Sequence, residues 1–294
     1  MRRDRGRAGQ PRRLGHGDSR RAHSRRAGSS LPAGGAYDGA VANRIDLNAD
    51  VGESFGPWRM GADAALMPHV TSANVACGFH AGDPLTIRRT VRLALDAAVA
   101  IGAHPGFPDL VGFGRRSLAM APEELEAAVL YQVAALDGIV RSEGGRLAHV
   151  KAHGALYHHV AADGRAAVAF ATAIARLDPS LRIVGPPGAV LLDAAARLGI
   201  PSVVEAFADR VYEADGRLRR RDLPGALNGD PDVAAAQAVA IVRDGRVTAS
   251  DGSVIEISAQ TICLHGDTPG APAIAAAVRR ALAFAGIEVR GLGA

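Results

Sequence analysis

Short segments of Gly, His, Asp and Asn punctuate this sequence and hold most of the residues that could do chemistry. The first, IDLNADVGE (Ile45–Glu53), offers Asp46, Asn48, Asp50 and Glu53. Their oxygens could grip a divalent cation or take part in proton transfer. Equally, they could make the turn and cap hydrogen bonds of a strand end. The second, SANVACGFHAGDP (Ser72–Pro84), displays His80 between Gly78 and Gly82, where the backbone can come close to a ligand. Asn74 is open to either role, and Asp83 is placed to cap a helix beginning at Pro84. The third, IGAHPGFPDLVGFGRRS (Ile101–Ser117), puts His104 directly after a short apolar run and ends in Arg115 and Arg116. That arginine pair could clasp an anion or simply be solvated.

Lys151 is the only lysine in the chain, against 33 arginines. A chain that uses Arg wherever Arg serves, yet keeps one Lys, points to a need for a compact ammonium. Lys151 lies in HVKAHGALYHH (His149–His159), two residues before His153. In an extended chain the two share a face, with His149 one step deeper. His158 and His159 read as surface residues beginning or flanking a helix. In AFADRVYE (Ala206–Glu213), Asp209 and Arg210 either order a loop as an ion pair, or Arg210 binds an anion. CLHGDTPGA (Cys263–Ala271) adds His265 and Asp267.

Together, His80, His104, His153 and His265, with Asp46, Asp50 and Asp267, fall at or after the ends of apolar runs. Folding alone has no need of so many ionisable groups there. The sequence lacks a P-loop, since Ala152 follows the only lysine, and it lacks GxSxG and HExxH. GFGRRS is not a dinucleotide fingerprint, because the third glycine is missing.

The elements that must position these residues follow a regular alternation. Apolar runs predict strands over Arg44–Asn48, His69–Val75, Ala100–Ala103, Leu147–Ala152, Arg182–Val184, Ser202–Ala206 and Thr261–Leu264. Amphipathic stretches predict helices over Pro84–Ala100, Pro122–Glu143, Gly164–Leu177, Gly188–Leu198, Pro231–Arg243 and Ala271–Ala285. Val247–Ile257 reads as an inserted hairpin turning at Asp251-Gly252. Polar residues follow nearly every strand, as in a barrel whose site collects at the carboxyl ends. The expected fold is therefore a seven-stranded (β/α) barrel over residues 43–294, a single catalytic domain.

Residues 1–43 hold ten Arg and three Asp, a charge of about +7, so the rest of the chain is near −3 although the whole is +4. Nothing in the folded part therefore calls for nucleic acid. Residues 1–42 are too polar to fold, lack a secretory core, and read either as a basic tail or as the product of a mis-assigned start. Two isolated cysteines, Cys77 and Cys263, and no 18-residue apolar run point to a reduced, cytoplasmic protein that spans no membrane.

DLNADVGE, SANVACGFHAGDP, IGAHPGFPDLVGFGRR, HVKAHGALY, FADRVY and LHGD, in this order, resemble the LamB/YcsF family, generally described as the A subunit of bacterial 5-oxoprolinase. Ala152 stands where the family usually has Pro. The resemblance implies a barrel of the glycoside hydrolase/deacetylase type. It also implies ATP-dependent hydrolytic opening of 5-oxoproline to L-glutamate with subunits B and C. ATP would be a co-substrate, with Mg2+ possible beside it and no tightly bound cofactor. On that reading Asp46, Glu53, His80, His104, Lys151 and His153 are the catalytic candidates. Asn48, Asp50, Asn74, Arg115, Arg210, His265 and Asp267 are candidates for binding substrate or ATP. No metal is required; if one binds, Asp46, His104 and His153 are the expected ligands. A metal-dependent deacetylase-like reaction and a non-catalytic scaffold are the two alternatives.

Overall fold

A computed structural model describes residues 44–292. The Arg-rich segment 1–42 lies outside the described residues. In chain order the elements are β1 (Arg44–Val51), α1 (Asp63–Leu66), a 3-10 turn (Met67–His69), β2 (Ser72–Ala76), α2 (Pro84–Asp96), β3 (Ala100–His104), α3 (Pro122–Ser142), β4 (Leu147–Lys151), α4 (Gly154–Ala162), α5 (Gly164–Leu177), β5 (Arg182–Gly185), α6 (Val190–Arg197), β6 (Ser202–Phe207), α7 (Pro231–Asp244), β7 (Arg246–Thr248), β8 (Val254–Glu256), β9 (Thr261–His265), α8 (Ala271–Phe284) and β10 (Glu288–Val289).

Seven strands, β1-β2-β3-β4-β5-β6-β9, pair in parallel, and β9 closes back onto β1. This is the expected seven-stranded barrel. β10 adds in parallel to the start of β1, and β7–β8 form the inserted antiparallel hairpin. The helices cover the outside through faces of helical period; α3, for example, buries Leu125, Val129, Val133, Leu136 and Val140. Asp83 caps α2, its carboxylate accepting from the Leu85 and Thr86 backbone N–H groups.

Alternation along β1 sorts the chain. Leu47, Ala49 and Val51 join the apolar cluster, whereas Asp46, Asn48 and Asp50 form polar contacts with residues of other barrel strands. β2, β4 and β9 behave likewise, so the barrel interior is filled by a polar column in place of branched aliphatic layers. Gly102 makes room in it: a Cβ there would lie 2.1 Å from His149 Nε2.

Among the differences from the sequence reading, four concern the ends of elements or a helix not expected. β1 runs to Val51, not Asn48, because its inward polar positions pair inside the barrel and need not end the strand. His69 belongs to the 3-10 turn, not to β2. α2 stops at Asp96, and the left-handed Ala98 (φ 55°) turns the chain into β3. A helix, α4, starts directly after His153 and contains His158 and His159.

Candidate active site

The polar column has a floor, a middle and a mouth. At the floor, Asp46 Oδ1 accepts from Thr71 Oγ1 (2.8 Å) and Ser72 Oγ (2.6 Å), and Oδ2 accepts from Thr261 Oγ1. Above it, Asn48 donates to Thr261 Oγ1 (2.7 Å) and Glu205 Oε1 (3.0 Å). Asn74 donates to Asn48 Oδ1 (2.7 Å) and Asp50 Oδ1 (2.8 Å), and His149 Nε2 meets Asn74 Oδ1 at 2.7 Å. Asp46, Asn48, Asn74 and His149 are all buried.

Lys151 is the middle. Its ammonium donates to Asp50 Oδ1 (3.0 Å), Cys263 Sγ (2.9 Å) and, more weakly, Asn48 Oδ1 (3.4 Å), and it pairs with Glu205 Oε1 at 2.9 Å. Burial alone would lower its pKa, but Asp50, Cys263 and Glu205 outweigh burial and hold it well above the usual value. Burial would likewise raise Asp50, yet His104 and Lys151 hold that carboxyl well below its usual range. The centre is therefore a buried ammonium between two carboxylates.

At the mouth, Glu53, His104 and His153 converge. His104 Nδ1 lies 2.8 Å from the Lys151 carbonyl oxygen, which can only accept, so Nδ1 donates there and Nε2 is left facing the mouth. His153 Nε2 lies 2.9 Å from the Phe113 carbonyl oxygen, which by the same logic leaves the lone pair on Nδ1. His104 Nε2 and His153 Nδ1 face each other at 3.1 Å. Glu53 Oε1, 3.5 Å from His153 Nδ1, has no hydrogen-bond partner among the described residues. His80 stacks on His153 with rings 3.7 Å apart and 3° from parallel, and its Nε2 is 3.7 Å from Glu53 Oε1. Burial, then Asp50 and Asp267, push the Glu53 carboxyl well above its usual range. Burial and neighbouring histidines push His80 and His153 well below theirs. Glycine again permits the crowding. Gly114, at φ +61°, would place a Cβ 2.8 Å from both His153 Cδ2 and His80 Cβ.

Over this mouth lies a cavity of about 1430 Å3, lined among others by Asp50, His104, Lys151, His153, Glu205, Phe207, Arg115, Arg210 and His265. His265 stacks on Phe207 and is oriented by Asp209, which accepts from its backbone N–H (3.0 Å) and contacts Nδ1 (3.0 Å). Arg115 donates to Asp267 Oδ2 (2.6 Å).

The sequence profile of the LamB/YcsF family matches residues 45–294. The chain belongs to the LamB/YcsF family. It is 53% identical over 253 residues to the 5-oxoprolinase A subunit of Methylococcus capsulatus, covering 86% of this chain and 97% of that one. It is 54% identical over 246 residues to that of Chloroflexus aggregans (84% and 98%). A solved structure, the lactam utilization protein from Thermus thermophilus, superposes with a TM-score of 0.80 at 49% identity, covering 84% of this chain and 99% of that one.

In this LamB/YcsF chain the structure brings Asp50, Glu53, His80, His104, Lys151 and His153 together, and places Arg115, Arg210 and His265 on the cavity wall. Asp46 is a correction. It was expected among the catalytic residues and metal ligands, but it sits at the opposite end of the barrel with both oxygens held by hydroxyls. Among the described residues, the set that could hold an ion is Glu53, His104 and His153, not Asp46, His104 and His153. Asn48 and Asn74 are a second correction. Their amides are committed to partners inside the barrel, between the floor and Lys151. Arg210 lines the cavity but gives two of its donors to the Ala226 and Arg219 carbonyls, which tie down its own loop. Asp267 is held by Arg115 and Arg221 (3.6 Å). Sequence reasoning missed Glu205 and Cys263, which hold Lys151, and gave Asp209 to an ion pair with Arg210 where the structure pairs it with His265. Glu205 had a signal: an acid inside the apolar run SVVEAF.

Proposed function

We propose that this chain is the lactam-opening component of an ATP-dependent 5-oxoprolinase, converting 5-oxoproline to L-glutamate with subunits B and C. The observation that carries the reading is the buried Lys151 ammonium, fixed between Asp50 and Glu205 at the base of a cavity that also meets His104 and His153. Relatives at 50–54% identity, each named as the A subunit of 5-oxoprolinase, support it.

Lactam hydrolysis adds water oxygen to the carbonyl carbon, breaks the ring C–N bond and delivers a proton to nitrogen. The amide is resonance-stabilised and a poor electrophile. Transfer of a phosphoryl group from ATP to its oxygen would make the carbon reactive. A fixed cation beside that oxygen lowers the barrier most when charge develops there, which is the role assigned to Lys151. The lone pair of His153 Nδ1, and Glu53 once ionised, can take a proton from water. Arg115 and Arg210, at the cavity wall, are positioned for phosphate; no carboxylate lies within ion-pairing distance of Arg210 among the described residues. Mg2+ would accompany ATP. Cys77 and Cys263 are free and buried, which suits a reducing cytoplasm. No helix among the described residues is long and apolar enough to cross a membrane.

The test is a reconstituted three-subunit assay that follows glutamate formation and ATP consumption together. Wild-type chain should couple the two, and Lys151→Met should abolish both. Near-normal coupled turnover by that variant removes Lys151 from the site.

A further inference from the structure

The mouth of the barrel is short of positive charge in a specific place. The carbonyl oxygens of Lys151 and Phe113 each accept from one ring nitrogen, of His104 and His153 respectively, so that the other two, His104 Nε2 and His153 Nδ1, face each other across 3.1 Å. Nitrogens at that distance hold either a shared proton or a metal ion between them. Glu53 Oε1 lies 3.5 Å from His153 Nδ1, buried and without a hydrogen-bond partner among the described residues. Asp50 Oδ2 lies 3.4 Å from His104 Nε2. An unpaired buried polar oxygen is costly, and native interiors avoid it.

From this geometry we infer that Glu53, His104 and His153 bind a divalent transition-metal ion, with Asp50 beside it. The spacing fits. Ligands about 2.1 Å from a tetrahedral ion stand about 3.4 Å apart. Within the set, His104 Nε2 and His153 Nδ1 are 3.1 Å apart, Glu53 Oε1 and His153 Nδ1 are 3.5 Å apart, and all three ligand atoms lie within 4.8 Å of one another. The donor set selects the ion: two imidazoles and a carboxylate suit Zn2+ or a neighbouring first-row ion, whereas Mg2+ prefers oxygen and water. The two carbonyls complete the site, since ligating histidines usually donate their other N–H to an oxygen. Such an ion polarises carbonyls and acidifies water, which is the demand of ring opening. The chemical use rests on the lactam-opening reading; the binding does not.

The test uses the full chain alone, without substrate. After dialysis against a chelator, Zn2+ is titrated calorimetrically and Co2+ by its visible absorption. One ion per chain is expected, with a Co2+ spectrum of low coordination number. Glu53→Gln and His153→Ala should each weaken Zn2+ at least about tenfold to a hundredfold. Asp46→Asn should leave Zn2+ affinity unchanged. Circular dichroism of the metal-free variants checks the fold, and if His153→Ala does not fold, the near-isosteric Glu53→Gln decides. Binding well below one equivalent, or affinity indifferent to Glu53→Gln, overturns the site. A chain that binds no ion yet opens 5-oxoproline in the assembled complex overturns this inference alone. A chain that binds the ion yet never opens the lactam overturns the proposed reaction alone.

Discussion

The floor and the mouth of this barrel are both buried and both polar, but they treat their acids in opposite ways. At the floor, Asp46 has both oxygens occupied by three hydroxyls that come from the loop before β2, from β2 and from β9. At the mouth, Glu53 is equally buried, yet Oε1 has no donor among the described residues and lies 3.5 Å from His153 Nδ1. A satisfied polar group adds to stability, whereas an unsatisfied one subtracts from it. Burial and charge do not separate structural from functional residues in such an interior; the state of hydrogen bonding does. Lys151 lies between the two zones and belongs to both. It neutralises Asp50 and Glu205 and is also the base of the cavity.

The largest effect is therefore expected at Lys151. Lys151→Met leaves two buried carboxylates without their cation, which should cost about 3–5 kcal/mol of stability. Coupled turnover should vanish with it. Denaturant unfolding measures the first quantity and the three-subunit assay the second. Full stability in this variant would mean that Asp50 and Glu205 do not depend on the ammonium.

Glu53→Gln sharpens the contrast from the other side. The amide removes the orphaned carboxyl group and supplies an N–H donor to the lone pair of His153 Nδ1. Stability should stay within about 1 kcal/mol of wild type, or rise. Turnover should fall by about 10²-fold or more. A large loss of stability would show Glu53 to be a framework residue, and the floor–mouth distinction would fail there. Asp46→Ala should give the inverse profile. Removing the acceptor of three hydroxyls should cost about 1–3 kcal/mol, with turnover per folded molecule changed less than about threefold.

Much of this was legible in the sequence, because apolar runs and their polar terminators are local signals. The seven barrel strands, six of the helices and the β7–β8 hairpin follow from periodicity and from caps such as Asp83. Short pieces do not announce themselves: α1 has four residues and β10 two, too few for any period to show. The convergence of His80, His104, Lys151 and His153 was readable as a set, since each follows or ends a strand of one closed barrel. The misplacement of Asp46 has a plain cause. DLNAD offers three inward polar residues along β1, and spacing alone cannot say which end of the barrel each occupies. Tertiary pairing decides, through Thr261 for Asp46 and Lys151 for Asp50. Glu205 escaped for a related reason: its partner Lys151 is two strands away in the barrel, on β4 against β6.

The smallest expected effect tests whether hydrogen bonding, and not location, marks the functional acids. Asp83 follows the same loop that carries His80, so by position it belongs to the mouth. By bonding it belongs with the floor: it accepts from Leu85 N (2.9 Å), Thr86 N (3.1 Å), Thr86 Oγ1 (2.5 Å) and Gly56 N (3.1 Å). The Thr86 hydroxyl and these backbone donors lower its carboxyl to about 2, a charged cap on α2. Asp83→Ala should cost about 1 kcal/mol, as for other lost N-caps. Asp83→Asn should recover most of that, because the amide oxygen can still accept from the α2 N-terminus. Neither change should alter turnover by more than about twofold once the folded fraction is accounted for. A tenfold loss of turnover in both variants, with stability intact, would make proximity to the mouth the deciding property and would return Asp83 to the residues that serve the reaction.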